Sequence, residues 1–194
     1  MSGAAVAGGA GLHATAVIHG ESCVLILGPS GSGKSALALA LMARASGAGA
    51  FGALIGDDRI YVRKADGRLV ASGAANMAGI IERRMAGLME VRHERAAIVH
   101  LAVELSERRG QWPRMPDDHD GVIVAGVRLP RLALDSGLSV CDQALAVEER
   151  LAVLAAENSG RIRISLEHCA ECTKMDVLRF RRRLDWRRKG EPID

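Results

Sequence analysis

The residues with the clearest chemistry form the segment Gly28-Pro29-Ser30-Gly31-Ser32-Gly33-Lys34-Ser35, which has the spacing G-x-x-x-x-G-K-S. The small residues let several backbone N–H groups point inward and surround a phosphate. Lys34 adds a positive charge, and the Ser35 hydroxyl can bind the Mg²⁺ that accompanies a nucleotide. The whole segment is therefore predicted to bind a nucleotide or another polyphosphate.

The residues on both sides of the loop predict the elements that hold it. Residues 23–27 are an apolar run typical of a buried strand, and residues 35–43 are rich in Ala and Leu, which favours a helix. A loop between a strand and a helix N-terminus is a site that binds anions. Residues 14–18 predict a second strand, which pairs with 23–27 through a turn at 19–22. Ordinary P-loop enzymes begin instead with a parallel strand–helix unit.

Two adjacent carboxylates, Asp57 and Asp58, follow the short apolar strand predicted at residues 53–56. Phosphoryl transfer to a hydroxyl group needs one carboxylate to accept the proton and often another to hold Mg²⁺. Asp-Asp is also common in solvated turns, so the residues alone leave a catalytic pair and a surface turn both open.

The remaining pattern predicts an α/β fold with a mixed β-sheet. Asp66-Gly67 is a hairpin turn between strands at 60–63 and 69–71. Extended segments are predicted at 85–91, 97–103 and 122–127, the last as one buried strand, with a long polar loop at 106–121. A helix at 139–157 begins at Ser139 or Asp142 and has an apolar face formed by Ala144, Val147, Leu151, Leu154 and Ala155.

The arrangement of His13, the phosphate loop and Asp57-Asp58 resembles HPr kinase/phosphorylase, the bifunctional serine kinase of the bacterial phosphotransferase system. In that family a histidine lies fifteen residues before the first loop glycine, as His13 does here. The family's Leu-Glu-Ile-Arg signature is similar to Met89-Glu90-Val91-Arg92, and its Pro-Val-Arg-Pro-Gly-Arg stretch is similar to residues 126–131. The resemblance covers about residues 12–155, with extra residues at 45–51, and is to the short form that has only the catalytic domain.

The resemblance implies a P-loop kinase fold like those of HPr kinase and PEP carboxykinase, and it implies roles for particular residues. Asp58 is the preferred acid–base group, supported by Asp57, and His13 tunes its pKa. Ser35 and Glu90 would hold Mg²⁺. Arg128 and Arg131 would bind phosphate in the reverse phosphorolysis. The catalytic residues implied are His13, Lys34, Asp57, Asp58 and Arg114.

The function implied is ATP-dependent phosphorylation of a serine in a small phosphocarrier protein, HPr or its nitrogen-branch paralogue, by a homo-oligomer that is a hexamer in the family. Two alternatives remain: a small-molecule P-loop kinase, and a regulatory nucleotide-binding module with vestigial turnover. His93-Glu94-Arg95 stands where the family has Gly-Leu-Gly. This departure predicts strong kinase activity and weak or absent phosphorolysis.

Charge and composition argue against binding to nucleic acid or to a membrane. Residues 1–160 hold 16 Lys/Arg and 17 Asp/Glu, whereas residues 161–194 hold 10 and 6, so the positive charge belongs to the tail. The chain is therefore expected not to bind nucleic acid. No apolar stretch reaches the length of a membrane span, so no membrane association is expected. The chain has four cysteines, and its phosphate loop implies a supply of nucleotide. Reduced thiols in the cytoplasm are therefore favoured over a disulfide framework.

Three regions are predicted: a flexible N-terminus at 1–11, the catalytic domain at 12–158, and a basic tail at 159–194 that is helical or disordered. In the tail, Cys169 and Cys172 have C-x-x-C spacing next to His168. A single cysteine pair does not complete a tetrahedral zinc site, so two ordinary thiols are favoured.

Overall fold

The computed structural model describes residues 10–107 and 121–158. Arg114, most of the predicted 106–121 loop, residues 1–9 and the tail with Cys169 and Cys172 lie outside these residues. The described elements are, in chain order, β1 (Ala10–Leu12), β2 (Ala14–His19), β3 (Ser22–Leu27), α1 (Lys34–Gly47), β4 (Gly52–Gly56), β5 (Ile60–Ala65), β6 (Arg68–Gly73), a 3-10 turn (Ala75–Met77), β7 (Ile80–Arg83), β8 (Gly87–Glu90), β9 (Ala96–Ser106), β10 (Gly121–Val124), β11 (Val127–Asp135) and α2 (Val140–Asn158).

Nine of these strands form one curled, mixed sheet, which confirms the predicted α/β class. Seven follow the order β1-β5-β6-β9-β3-β2-β4, and β11 joins through β9 and carries β10 at its side. β3 pairs with β9, and β9 with β11, in parallel, while the other pairs are antiparallel. β7 and β8 form a separate hairpin.

One edge of the sheet collects the segments that carry chemistry. β3, β9 and β11 run in the same direction, and β4 shares it because β4 and β3 both pair antiparallel with β2. The residues that follow these four strands therefore lie at the same edge. β2 runs the opposite way, so its start, next to His13, lies there too. The predicted hairpin of β2 and β3 is confirmed, with Ala14 paired to Leu27.

The central strands are buried on both faces, which explains their unbroken apolar runs. Val24 and Ile26 of β3 pack in one core with α1 and α2. Cys23 and Leu25 alternate to the other face and pack with β5, β6 and β10–β11. Burial raises the pKa of the Cys23 thiol to about 12, so this cysteine is a core residue. No helix in the described ranges has the length and apolar character needed to cross a membrane.

Both predicted helices are present, with small changes of extent. α1 continues to Gly47, beyond the predicted 35–43. α2 begins after Ser139, whose hydroxyl accepts a hydrogen bond from the Asp142 backbone N–H at 3.1 Å, which settles the choice of N-cap. Ala155, expected on the buried face, is exposed.

Some predicted strand boundaries are wrong. Residues 122–127 are not one buried strand: Ala125 and Gly126 have φ of 47° and 74° and form the turn between β10 and β11. Ile123 is accordingly 71% exposed. Within 85–91, Met85 lies in a turn and the strand starts only at Gly87. The flexible N-terminus was expected to extend to Gly11, but Ala10 and Gly11 belong to β1, which pairs with β5.

Candidate active site

The phosphate loop connects β3 to α1 and has a backbone that requires glycine. Gly28, Gly31 and Gly33 have φ of 151°, 80° and 96°. A Cβ atom on Gly28 would lie 2.6 Å from the Leu105 carbonyl oxygen, so no larger residue fits there without moving β9. Successive N–H groups in such a left-handed loop, next to a helix N-terminus, form a concave anion site.

Lys34 begins α1 and is 6% exposed. Its Nζ donates to the carbonyl oxygens of Gly28 and Pro29 at 3.0 and 2.9 Å, and it lies 3.0 Å from Nε2 of His13. Burial lowers the pKa of Lys34, and the nearby carboxylates of Asp57 and Asp58 act in the opposite direction. The ammonium group thus lies inside the loop and within reach of the carboxylate pair.

Asp57 follows β4 and is held by donors from three other elements. Thr15 Oγ1 donates to its Oδ1 at 2.5 Å, and Ser35 Oγ lies 2.9 Å from Oδ2. The backbone N–H of Glu82 donates to Oδ2 at 3.3 Å. The Asp57 carboxylate is therefore held next to the Ser35 hydroxyl. Both side chains line the cleft and offer it oxygen atoms.

Asp58 has a different environment. Its side chain is 81% exposed, and its Oδ1 lies 2.8 Å from Nδ1 of His13. With the Lys34 ammonium donating to Nε2, the hydrogen on the imidazole lies on Nδ1 and is donated to Asp58. Asp58 has φ of 64°, a strained conformation that Asp and Asn adopt more readily than most residues.

These groups line an open cleft of about 470 Å³. The hairpin β7–β8 forms its other wall and supplies both charge and apolar surface. The side chain of Arg84 reaches the loop, since its Nη2 would lie 3.2 Å from a Cβ on Gly31. The lining residues are His13, Ser30, Gly31, Gly33, Lys34, Ser35, Ala36, Asp57, Asp58, Met77, Ile80, Glu82, Arg83, Arg84 and Leu88.

The structure brings together most of the residues expected from the sequence, but not all. Glu90 is exposed, pairs with Ile80 across the hairpin, and does not line the cleft. Arg128 and Arg131 lie on β11, also outside the cleft, and Arg131 forms an ion pair with Glu104 at 2.7 Å. Ser32 turns its hydroxyl into the protein, where it has no hydrogen-bond partner.

Four polar residues at the site were not expected from the sequence: Thr15, Glu82, Arg83 and Arg84. The signal for three of them was present. The pattern of an apolar residue, Glu, any residue and Arg occurs twice, first in Ile81-Glu82-Arg83-Arg84 and again in residues 89–92. Three residues after the first copy comes Gly87, which corresponds to the last glycine of the Gly-Leu-Gly that follows the family's signature. The first copy is also the one that lines the cleft next to the loop. Thr15 had no signal, since a threonine in a strand is ordinary.

The chemistry of these side chains fits a nucleotide with Mg²⁺. Lys34, Arg83 and Arg84 are cationic groups suited to phosphate oxygens. Ser35 and Asp57, with Glu82 beside them, are oxygen donors of the kind that Mg²⁺ prefers. Within residues 10–107 and 121–158, no three His, Cys, Asp or Glu side chains form a cluster that could hold a metal alone. Mg²⁺ in phosphoryl-transfer sites commonly uses only one or two carboxylates plus substrate phosphates.

The fold is similar to that of the Hpr(Ser) kinase/phosphatase from Coxiella burnetii. The two structures superpose with a TM-score of 0.61 at 24% sequence identity, over 76% of this chain and 99% of the other. The chain therefore has the HPr kinase fold predicted from the sequence. No protein-family model and no curated protein matches the sequence.

Proposed function

We propose that this chain is an ATP-dependent protein-serine kinase of the HPr kinase type, acting on a small phosphocarrier protein, HPr or its nitrogen-branch paralogue. One observation carries the proposal: Lys34 of the phosphate loop, His13 and Asp58 form a continuous hydrogen-bonded chain at the sheet edge. Phosphoryl transfer needs a phosphate held next to a group that accepts the proton of the attacking hydroxyl. The contacts support the proposal because they link a lysine suited to phosphate binding with a carboxylate suited to accept that proton.

The loop and the hairpin hold the nucleotide. Backbone N–H groups of residues 31–33 and the Lys34 ammonium bind the phosphate chain, and Arg84 adds bidentate donors near Gly31. Ser35 and Asp57 supply oxygen ligands for Mg²⁺, with Glu82 as the additional carboxylate in place of Glu90. When bound, Mg²⁺ neutralises charge on the phosphate oxygens.

Asp58 accepts the serine proton. Its neighbour Asp57 already accepts hydrogen bonds from Thr15, Ser35 and the Glu82 backbone, whereas Asp58 is open to solvent and has His13 as its partner. Asp58 therefore has lone pairs directed into the cleft, where a substrate hydroxyl arrives. His13 holds the carboxylate in place by donating from Nδ1, as the orienting member of the pair.

The openness of the site favours a protein as the acceptor. The hairpin beside the cleft carries Met85, which is fully exposed, and Leu88, which is 68% exposed. A protein acceptor buries such exposed apolar side chains and covers the cleft with its own surface, which excludes water from the reacting centre. The cytoplasm as the location and a homo-oligomer, a hexamer by the resemblance, are parts of the same proposal.

The test is incubation of the purified chain with Mg-ATP and each phosphocarrier of its organism, followed by detection of acid-stable phosphoserine by mass spectrometry. We expect one carrier to be modified at one serine, and the Ser→Ala version of that carrier to stay unmodified. Nucleotide binding without transfer to any carrier would instead favour the regulatory module. Transfer only to a small molecule would favour the metabolite kinase.

A further inference from the structure

A second cavity, of about 340 Å³, lies against the phosphate loop. It shares Gly31 with the active-site cleft and is otherwise lined by Glu107, Asp135, Ser136, Gly137 and Leu138. Its volume is within the range of small-molecule sites, about 300–1,000 Å³. None of the residues assigned above to phosphate binding, Mg²⁺ binding or proton transfer lines it, apart from Gly31.

The position of this cavity in the sheet is that of a ligand site. Glu107 follows β9 and Ser136 follows β11, two of the parallel strands that end at the loop edge. Ligands of α/β sheets bind outside the carboxyl ends of such strands. In the sheet order β9-β3-β2-β4, the strand before the loop lies between β9 and β4. The cavity and the Asp57-Asp58 pair are therefore on opposite flanks of the loop.

The described part of the cavity's lining differs in charge from the phosphate-binding cleft. None of the described residues around it carries a positive charge, and two of them, Glu107 and Asp135, are acidic. Carboxylates and the Ser136 hydroxyl accept hydrogen bonds from neutral hydroxyl and amino groups. Leu138 adds apolar surface, since it is 46% exposed. The described lining thus suits a neutral molecule that has hydrogen-bond donors and an apolar part.

The wall of the cavity is already held in place by the fold. The backbone N–H of Ser136 donates to the Ser106 carbonyl at 3.1 Å, and that of Gly137 donates to Oδ1 of Asp135 at 2.8 Å. The buried Gln143 donates from Nε2 to the carbonyls of Asp135 and Leu138, both at 3.2 Å. A preformed wall loses little entropy when a ligand binds.

We propose that this cavity binds the nucleoside of the nucleotide whose phosphates lie in the loop. The polyphosphate then runs from Gly31 across the loop toward Asp57 and Asp58, with the sugar and base on the β9–β11 flank. The inference rests on the proposed function, because it requires that the loop bind a nucleotide. It adds the residues that distinguish a nucleoside triphosphate from inorganic polyphosphate.

The test compares the affinities of ATP and inorganic tripolyphosphate, both with Mg²⁺, by isothermal titration calorimetry. Tripolyphosphate fills the loop but has no nucleoside. Ser136→Trp places an indole in the cavity, and Leu138→Asp removes its apolar surface. We expect each substitution to weaken ATP binding about tenfold or more, the equivalent of about 1.4 kcal/mol, and to leave tripolyphosphate affinity unchanged. Leu145→Trp, on the exposed part of α2 outside the cavity, is the matched control and should alter neither affinity.

Three results would overturn the nucleoside site. ATP affinity that is unchanged in both variants would show that the nucleoside lies elsewhere. An equal loss for ATP and tripolyphosphate would show that the substitutions act on the loop through Gly31. Wild-type protein that binds both ligands equally well would show that no nucleoside subsite exists, while leaving phosphate binding and the proposed kinase activity intact. Failure of the proposed function is measured separately by the phosphoserine assay, because a chain that binds ATP but modifies no carrier fails as a kinase and still has the nucleoside site.

Discussion

Lys34 has a structural role as well as a role toward ligand, because its ammonium group contacts two loop carbonyls and His13. The residue is therefore part of the framework that shapes the loop. Its burial also explains why the pKa is lowered, since a charged group is disfavoured away from water. A bound phosphate would favour the charged form and raise that pKa again.

Replacing Lys34 by alanine should abolish phosphorylation and cost some stability. The carbonyls of Gly28 and Pro29 would lose their donor, and because Gly28 is half-buried and Pro29 is exposed, water replaces part of that interaction and the loss of stability should be small. Circular dichroism with thermal unfolding measures the stability, and a phosphoserine assay measures the activity. A folded variant with normal turnover would contradict the assignment of the loop.

The two aspartates should separate by the kind of kinetic defect they produce. Asp58→Asn keeps a residue that tolerates the positive φ and should lower kcat by roughly two to four powers of ten, the usual effect of losing an acid–base group. Asp57→Asn should chiefly raise the Mg²⁺ concentration needed for activity. Steady-state kinetics at varied Mg²⁺ distinguishes the two. The reverse pattern would exchange the roles within the pair.

At this scale the loop was predicted from its own spacing and the aspartate pair from its position after a predicted strand, whereas His13 and the roles of the pair were implied by the resemblance. Glu82 was missed because the same apolar–Glu–x–Arg pattern occurs twice within twelve residues, 81–92. Only the pairing of β7 with β8 decides which copy faces the loop, and spacing along the chain carries no information about that.

The β7–β8 hairpin allows its two glutamates to be compared as ligands of Mg²⁺, because Glu82 lines the cleft and Glu90 does not. Glu82→Gln should raise the Mg²⁺ concentration for half-maximal activity by about tenfold or more, as loss of a carboxylate near a metal usually does. Glu90→Gln on the opposite strand is the matched control and should leave it unchanged. An effect of Glu90→Gln alone would restore the role first given to that residue.

Element boundaries were predicted less well where a turn is hidden in an apolar run. Residues 122–127 contain no polar residue, yet Ala125 and Gly126 reverse the chain. Alanine at positive φ is unusual, so no local preference announces this turn. It is the pairing of Val124 with Val127 and the burial of both that stabilise the hairpin.

The molecule as a whole should work mainly in the kinase direction. Phosphorolysis needs a second phosphate pocket, and the arginines expected to form it lie away from the catalytic edge. Arg128 is seven residues before Asp135, the end of β11, or roughly 23 Å at about 3.3 Å per residue. Pyrophosphate release from phosphorylated carrier at millimolar phosphate should be far slower than the forward reaction. Comparable rates would show that other groups, such as Arg83 and Arg84, serve the reverse step.

The tail should be dispensable for the chemistry. All described residues of the cleft and of the second cavity precede Val140, and α2 ends at Asn158. A chain ended at Asn158 should stay soluble and phosphorylate its carrier at a rate near that of the full chain. Light scattering and the phosphoserine assay measure the two properties. Loss of activity with an intact fold would show that residues 159–194 complete the site.

The pairing of β2 with β3 sets the number of residues between His13 and the phosphate loop. Its six residue pairs run without a register shift from His19–Ser22 at the turn to Ala14–Leu27 at the open end, where His13 and the loop are attached. One residue inserted between them would slide the pairing and turn buried side chains to the other face. No strand pairing fixes the length of the connection from α1 to β4. Additional residues, as at 45–51, are therefore tolerated at the end of α1 and in its connection to β4, while the fifteen-residue interval from His13 to Gly28 is fixed by the strands themselves.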